Sequence, residues 1–323
     1  MRVLVTGGAG YIGSHLVDAL IKRGDEALVI DNLSTGKIEN IRHLLGHPAF
    51  HFINDSILNE QLLERFIPSM DLIFHLAAAV GVRNVLQDPL AAINTNVRGT
   101  EVVLGLAFKY WKRLVLASSS EIYGKARHVP FREDDDRVLG SSAVARWSYS
   151  MSKAIDEHFA FAYAAKGLPV SILRYFNSYG PRLDERGYGS VVANFIRQAL
   201  RGDPITVLGD GKQTRCFTYI EDTVAGTLLA GEVKEAIGEA FNIGSPTETG
   251  ILDLARLVKR LTRSKSPIEF QPYEAYYGEG FEDTRRRVPS GEKAKRLLGF
   301  TPRVDLAAGL KKTIAWCREH FTH

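Results

Sequence analysis

A tyrosine and a lysine four residues apart, in Tyr149-Ser150-Met151-Ser152-Lys153, could form a proton-transfer device. On a helix the two share one face, so the ammonium can stabilise a tyrosinate and draw the phenol's pKa toward the working range. A neighbouring nicotinamide cation would add to that shift. About thirty residues upstream lies Ser118-Ser119-Ser120, where Ser119 can share a relay with Tyr149 and a substrate hydroxyl. Tyr-x-x-x-Lys alone arises easily by chance. Its weight comes from following a strand whose end carries the serine cluster.

The partner to such a base is written at the start of the chain. Gly7-Gly8-Ala9-Gly10-Tyr11-Ile12-Gly13 follows the short β-branched run Val3-Leu4-Val5 and precedes a helix-like stretch from His15 to Lys22. In that context Gly7 allows a tight turn, Gly10 lets the backbone approach a pyrophosphate, and Gly13 lets helix and strand pack closely. Phosphates would sit at a helix N-terminus, held by free N–H groups and the helix dipole. The second strand, Ala27-Leu28-Val29-Ile30, ends in Asp31, whose carboxylate can accept from both ribose hydroxyls and would repel a 2′-phosphate, favouring NAD over NADP. Lys37 nearby could soften that preference.

Composition fits an enzyme with two lobes about a cleft: 323 residues exceed one typical domain, and 45% hydrophobic residues supply ample core. The net charge of +4, with no basic block, argues against a nucleic-acid binder and suits small anionic ligands. Only Cys216 and Cys317 are present, far apart, so no disulfide framework is expected. With no leader-like start and no run of eighteen apolar residues, the expected location is cytoplasmic, with no membrane partner and no metal site.

These groups need a scaffold, and strands alternate with helices through the first half. His51–Ile53, Leu72–Leu76, Arg113–Ala117 and Val170–Arg174 read as further strands, with helical patterns near 57–66, 90–110 and 148–166. That alternation predicts an α/β fold with a parallel, doubly wound sheet of the Rossmann type. Past Asn177 the texture becomes rich in Pro, Gly and Arg, and shorter helices are expected. We therefore divide the chain into an NAD-binding domain, 1–176 plus 217–244, and a smaller substrate lobe, 177–216 plus 245–323. The segment 217–244, with a helix after Asp222 and the strand Ala240–Ile243, is expected to return to the sheet. The helices near 90–110 and 148–166 carry apolar surface that could pair two subunits, although core packing explains it almost as well.

Taken together, the chain resembles the extended short-chain dehydrogenase/reductases that modify nucleotide sugars. The resemblance runs through the glycine turn, Asp31-Asn32-Leu33-Ser34-Thr35-Gly36, His75-Leu76-Ala77-Ala78, Ser118 to Gly124, the Tyr149/Lys153 pair, Arg174 to Arg182, and Gly209-Asp210-Gly211-Lys212-Gln213-Thr214-Arg215. It implies NAD bound by Gly7, Gly10, Tyr11, Ile12, Gly13, Asp31, Asn32, Asp55, Ser56, Leu76, Ala77, Ala78, Tyr149 and Lys153, with Asp55 at the adenine. It also implies catalysis by Tyr149, Lys153, Ser119, Ser120 and Glu121. Asn177 and Arg182 would contact the sugar nucleotide and Arg215 its diphosphate, and a homodimer is expected. Read as residues alone, Asn177 could cap a turn and Arg215 could be a solvated surface charge.

Family chemistry starts with hydride transfer from sugar C4 to NAD, giving a 4-keto sugar. Epimerisation, dehydration or loss of a C5 carboxylate can follow. The resemblance makes Glu121 discriminating: similar epimerases place a small residue there, and Ser120 replaces the Asp of dTDP-glucose dehydratases, leaving the GDP-mannose type open. Arg146 to Ser150 and Tyr276 to Ser290 resemble UDP-glucuronate decarboxylases and UDP-apiose/xylose synthases, in which the arginine matching Arg287 serves decarboxylation. An arginine fork can hold a buried uronate while electrons flow toward the ketone. The run Arg285-Arg286-Arg287 could instead be a solvated patch or neutralise the diphosphate. In the other direction, Gly81-Val82-Arg83 resembles the loop of UDP-glucuronate 4-epimerases, where Arg83 would grip the carboxylate. On balance the expectation is a UDP-glucuronate decarboxylase of the UDP-xylose synthase type. The alternatives are a 4-epimerase, a GDP-mannose-type 4,6-dehydratase and a non-catalytic NAD-sensing regulator.

Overall fold

The computed structural model describes residues 1–184, 190–277 and 282–321, with the side chains of all but 82–84. Seven strands form one sheet: β1 (Arg2–Thr6), β2 (Glu26–Ile30), β3 (Phe50–Ile53), β4 (Leu72–His75), β5 (Arg113–Ser119), β6 (Val170–Tyr175) and β7 (Ala240–Ile243). Their spatial order is β7-β6-β5-β4-β1-β2-β3, and every neighbouring pair is parallel. The chain winds outward from β1 in both directions, so β1 and β4 flank the point where the order reverses. Ligands of doubly wound sheets bind in the crevice there, beyond the carboxyl ends of the strands. Val3, Leu4 and Val5 are wholly buried because helices cover both faces of the sheet, which is why β1 is apolar without alternation.

Two helices bring the chemistry to this edge. Tyr11–Lys22 starts at Gly10 with no side-chain cap, leaving its first-turn N–H groups directed outward. Trp147–Ala165 packs against β5 and β6, tied down by a buried cluster in which Glu157 accepts from Arg174 at 3.0 and 2.7 Å while Arg174 also donates to the Tyr123 hydroxyl at 2.8 Å.

The pattern near 90–110 is not one helix. Pro89–Ile93 leads into a π-helical turn, Asn94–Arg98, and then Gly99–Lys109. Asn96 in that turn accepts from the Ala79 amide at 2.7 Å and donates to Ser152 at 3.0 Å, linking the loop after β4 to the Tyr149 helix. Nor are the later helices uniformly short: Leu306–His320 has 15 residues. Asp222 in the helix Ile220–Glu232 accepts from the amides of Arg303 and Val304 at 3.0 Å each, fastening the C-terminal segment to the sheet-covering layer.

Candidate active site

The turn after β1 is a cradle that any side chain would fill. Gly7 has φ of +74°, and a Cβ there would lie 2.7 Å from the Ala77 amide nitrogen; a Cβ on Gly13 would lie 2.2 Å from the Gly7 carbonyl oxygen. Tyr11 and Ile12 open the helix that follows. Asp31, buried at the end of β2, accepts from the amides of Ala9 at 2.9 Å and Leu33 at 2.8 Å. Burial pushes its carboxyl up despite those two donors. Asn32 caps the next turn by accepting from Ser34 at 3.1 Å, and Lys37 pairs with Asp184 at 3.1 Å. At the end of β3, Asp55 accepts from the Ser56 amide at 2.6 Å and from Asn59 at 3.0 Å. Leu76, Ala77 and Ala78 follow β4, where the Thr6 hydroxyl hydrogen-bonds His75 Nδ1 at 2.7 Å. Burial, and then the Lys153 ammonium, pull His75 down to about 3, so its ring is neutral.

Tyr149 and Lys153 lie on the helix Trp147–Ala165 above the end of β5, and the Ser119 hydroxyl hydrogen-bonds Tyr149. Ser120 is buried in the turn that follows β5. The electrostatics differ from the sequence expectation. Lys153 Nζ donates to Asp156 and to the Ala117 carbonyl at 3.1 Å each, so its charge is largely balanced by a carboxylate on its own helix. Burial first, and then the charge of Glu121, push the Tyr149 phenol above its ordinary range rather than below it. Of the groups invoked from sequence, the Ser119 hydrogen bond still draws the phenol down.

Beside this pair opens a cleft bordered by Glu121, Arg146, Asn177, Arg215, Asp283 and Arg287. Glu121 lies 2.6 Å from Arg287 and 3.4 Å from Arg146. Arg215 holds both oxygens of Asp283, at 2.8 and 2.9 Å, and Arg146 lies 3.6 Å from the same carboxylate. Burial alone would raise both acids, but Arg287 and Arg146 hold Glu121 low, and Arg215 leads in holding Asp283 low. Three arginines face two carboxylates, an arrangement suited to an anionic ligand. Asn177 borders the cleft with a φ of +33° and a buried side-chain oxygen that makes no hydrogen bond, a strained backbone aimed at an open space.

Sequence reasoning placed Arg146 and Asp283 in motifs but gave neither a role. Each is four residues or fewer from an assigned residue, so the signal was proximity to Tyr149 and Arg287. The solvated-patch reading fits Arg285 and Arg286, which are exposed and pair with Asp210 and Glu248, but not the buried Arg287. Arg182 goes elsewhere: its guanidinium lies 2.6 Å from Asp18 on the helix Tyr11–Lys22, and it is not among the described residues lining the cleft. The Arg83 side chain and residues 278–281 of the Tyr276–Ser290 stretch lie outside the described residues. Among the described residues no metal-binding cluster occurs, and no helix is long and apolar enough to cross a membrane.

The family model described as GDP-mannose 4,6 dehydratase matches residues 4–313. The chain is 44% identical over 98% of both lengths to the UDP-N-acetyl-alpha-D-glucosaminuronate decarboxylase of Bacillus cytotoxicus. It is 39% identical to the UDP-glucuronic acid decarboxylase 1 of Danio rerio, over 100% of this chain and 74% of that protein. In structure it is similar to the UDP-glucuronic acid 4-epimerase of Bacillus cereus in complex with UDP-glucuronic acid and NAD, with a TM-score of 0.87 and 31% identity over 99% of this chain and 100% of that one. With this sheet, this glycine turn and this Tyr/Lys helix, the chain belongs to the extended short-chain dehydrogenase/reductase family of nucleotide-sugar enzymes.

Proposed function

We propose that the enzyme oxidises UDP-glucuronate at C4 and then releases the C5 carboxylate as CO2, giving UDP-xylose or the 4-keto pentose. The observation that carries this reading is the Glu121–Arg287 pair, 2.6 Å apart at the border of a cleft with a surplus of arginine. The similarity to decarboxylases of UDP-uronates from Bacillus cytotoxicus and Danio rerio supports it.

The cradle of Gly7, Gly10 and Gly13, the uncapped helix start at Tyr11 and Ile12, and the buried Asp31 fit NAD, with Asn32, Asp55, Ser56, Leu76, Ala77 and Ala78 around it. Bound there, NAD would supply a hydride acceptor for C4. Tyr149 takes the proton of the C4 hydroxyl, Ser119 orients that hydroxyl, and Lys153 donates to the nicotinamide ribose. Oxidation puts the carboxylate β to a ketone. Arg287 then transfers from Glu121 to the substrate carboxylate, and the C5–C6 electron pair flows into the ketone as the bond breaks. Glu121, released from Arg287 but still an anion beside Arg146, is placed to orient a water that gives its proton to C5; return of the hydride to C4 would then give UDP-xylose, and without it the 4-keto pentose remains. Asn177 and Arg215 hold the sugar nucleotide.

We further propose that residues 1–176 plus 217–244 carry the cofactor and 177–216 plus 245–323 the sugar nucleotide. Two copies would pair through exposed Leu90, Ile93, Met151, Ile155 and Phe161, and the buried, unbridged cysteines suit the cytoplasm. Light scattering in solution tests the dimer.

A 4-epimerase acting on the same uronate is the second reading, favoured by the Bacillus cereus neighbour and by Gly81-Val82-Arg83. Incubation with UDP-glucuronate separates them. CO2 with a UDP-pentose supports the proposal, UDP-galacturonate supports the epimerase, and turnover of UDP-N-acetylglucosaminuronate alone moves the substrate to the acetylated uronate. No turnover of any uronate overturns both.

A further inference from the structure

Asp156 is fully buried, with 0% of its side chain exposed, and its carboxylate lies 3.1 Å from Lys153 Nζ, one turn back on the same helix. Aspartate is almost never sequestered so completely, because stripping a carboxylate of water costs several kcal/mol that the pairing repays only in part. An apolar residue of similar size would serve the packing of the helix against the sheet at least as well. The position of this costly charge, against the lysine of the proton-transfer pair, gives it a use.

An ammonium has three N–H groups. Among the described residues, Lys153 directs one at Asp156 and one at the Ala117 carbonyl on β5, each at 3.1 Å. Those two anchors, one on the helix and one on the sheet, set where the third N–H points. They also leave the ammonium paired with an anion, which tempers its pull on the Tyr149 phenol.

We propose that Asp156 is a positioning residue for the Tyr149–Lys153 pair, pinning the Lys153 ammonium against the Ala117 carbonyl and setting the pH range over which the pair works. The inference rests on the assignment of Tyr149 as the base. The groups that bear on that range come from several elements. Tyr149 faces Glu121 in the turn after β5, Arg287 in the strand Arg286–Arg287, the Ser119 hydroxyl on β5, and Asp156 on its own helix. Asp156 faces Lys153, Glu157 and the Thr100 hydroxyl of the helix Gly99–Lys109, while neutral His75 on β4 faces Lys153.

The sign follows from these charges. The Asp156 carboxylate disfavours a nearby tyrosinate, so removing it lowers the pH at which Tyr149 becomes a base. The acid limb of the kcat/KM profile, set by Tyr149, therefore moves to lower pH.

The test is the pH profile of the holoenzyme with UDP-glucuronate for wild type, Asp156→Asn, Asp156→Glu and Tyr149→Phe. Asp156→Asn should shift the acid limb down by about one unit, a tenfold change in unprotonated fraction at fixed pH, while Asp156→Glu should keep the wild-type position. Ultraviolet titration supplies a readout independent of turnover: the tyrosinate absorbance that disappears with Tyr149→Phe should come in at lower pH in Asp156→Asn. Should Asp156→Asn fail to fold, Asp156→Ser, which leaves room for water, carries the same expectation. A profile that drops in height without moving, or moves toward alkali, overturns the inference. If Tyr149→Phe retains turnover, the assignment of the base fails instead, whatever Asp156 does.

Discussion

Glu121 and Arg287 approach to 2.6 Å across the border of the cleft, while the other oxygen of the same carboxylate lies 3.4 Å from Arg146. One carboxylate thus holds two arginines at the place where a negatively charged sugar substituent would be received. In the proposed reaction a uronate would compete with Glu121 for Arg287, which would make binding of the substrate and release of Glu121 a single event.

Replacing Arg287 with Gln should separate the two chemical steps. Loss of a positioned cation or donor costs roughly 10²–10³-fold in the step it serves. CO2 release should fall by that amount while a burst of NADH absorbance persists in a single turnover. Equal loss of both signals would place Arg287 in sugar binding rather than in decarboxylation.

Glu121 also sets the protonation of Tyr149. Burial, and then the Glu121 charge, raise the phenol above its ordinary pKa, so activity is lost as pH falls through that raised value. Glu121→Gln removes one of the causes, and the acid limb for C4 oxidation should move to lower pH even as the overall rate declines. The limb is read from NADH formation across a pH series.

Gly13→Ala should abolish NAD binding. Alanine suits a helix better than glycine by about 1 kcal/mol, but its Cβ would lie 2.2 Å from the Gly7 carbonyl oxygen, and that oxygen belongs to the cradle itself. Calorimetric titration with NAD should show no binding, and the melting temperature should fall.

His75 makes stability depend on pH. Its folded pKa, about 3, is below the ordinary histidine value of 6.5, because burial and then Lys153 oppose its charging. Below that ordinary value the unfolded chain binds a proton that the native state refuses, so stability declines as pH drops from about 6.5 toward 3, by at most about 1.4 kcal/mol per unit. Urea midpoints of His75→Gln should lack that component of the slope.

Arg174→Met should destabilise the fold rather than the chemistry. It strands Glu157 in the core, and removing one partner of a buried pair typically costs about 3–5 kcal/mol. Urea unfolding measures the loss, and kcat of the folded fraction should change less than stability.

The parallel sheet and the cofactor turn could be read from residues 1 to 176 because their signals are local. Apolar runs such as Val3-Leu4-Val5, glycines at fixed offsets and an acid ending β2 each depend on a few neighbouring positions. The π-helical turn at Asn94–Arg98 was not legible, since the same apolar periodicity runs on either side of it and the reason for the break, the hydrogen bonds from Asn96 to Ala79 and Ser152, comes from other segments. Arg182 looked like a cleft residue by its motif, yet Asp18, 164 positions away, holds it.

The sequence by itself determined which chemical groups exist and which share an element: the glycine cradle, the serine cluster, and Tyr149 and Lys153 on one helical face. Only the tertiary structure decided their charge balance. Arg146 and Arg287 reach Glu121 from other stretches, and the fold buries Asp156 and Lys153 together. Spacing along a chain specifies geometry within a helix or strand, whereas a pKa or an ion pair is a sum over every charge and every displaced water nearby, and folding alone sets that sum.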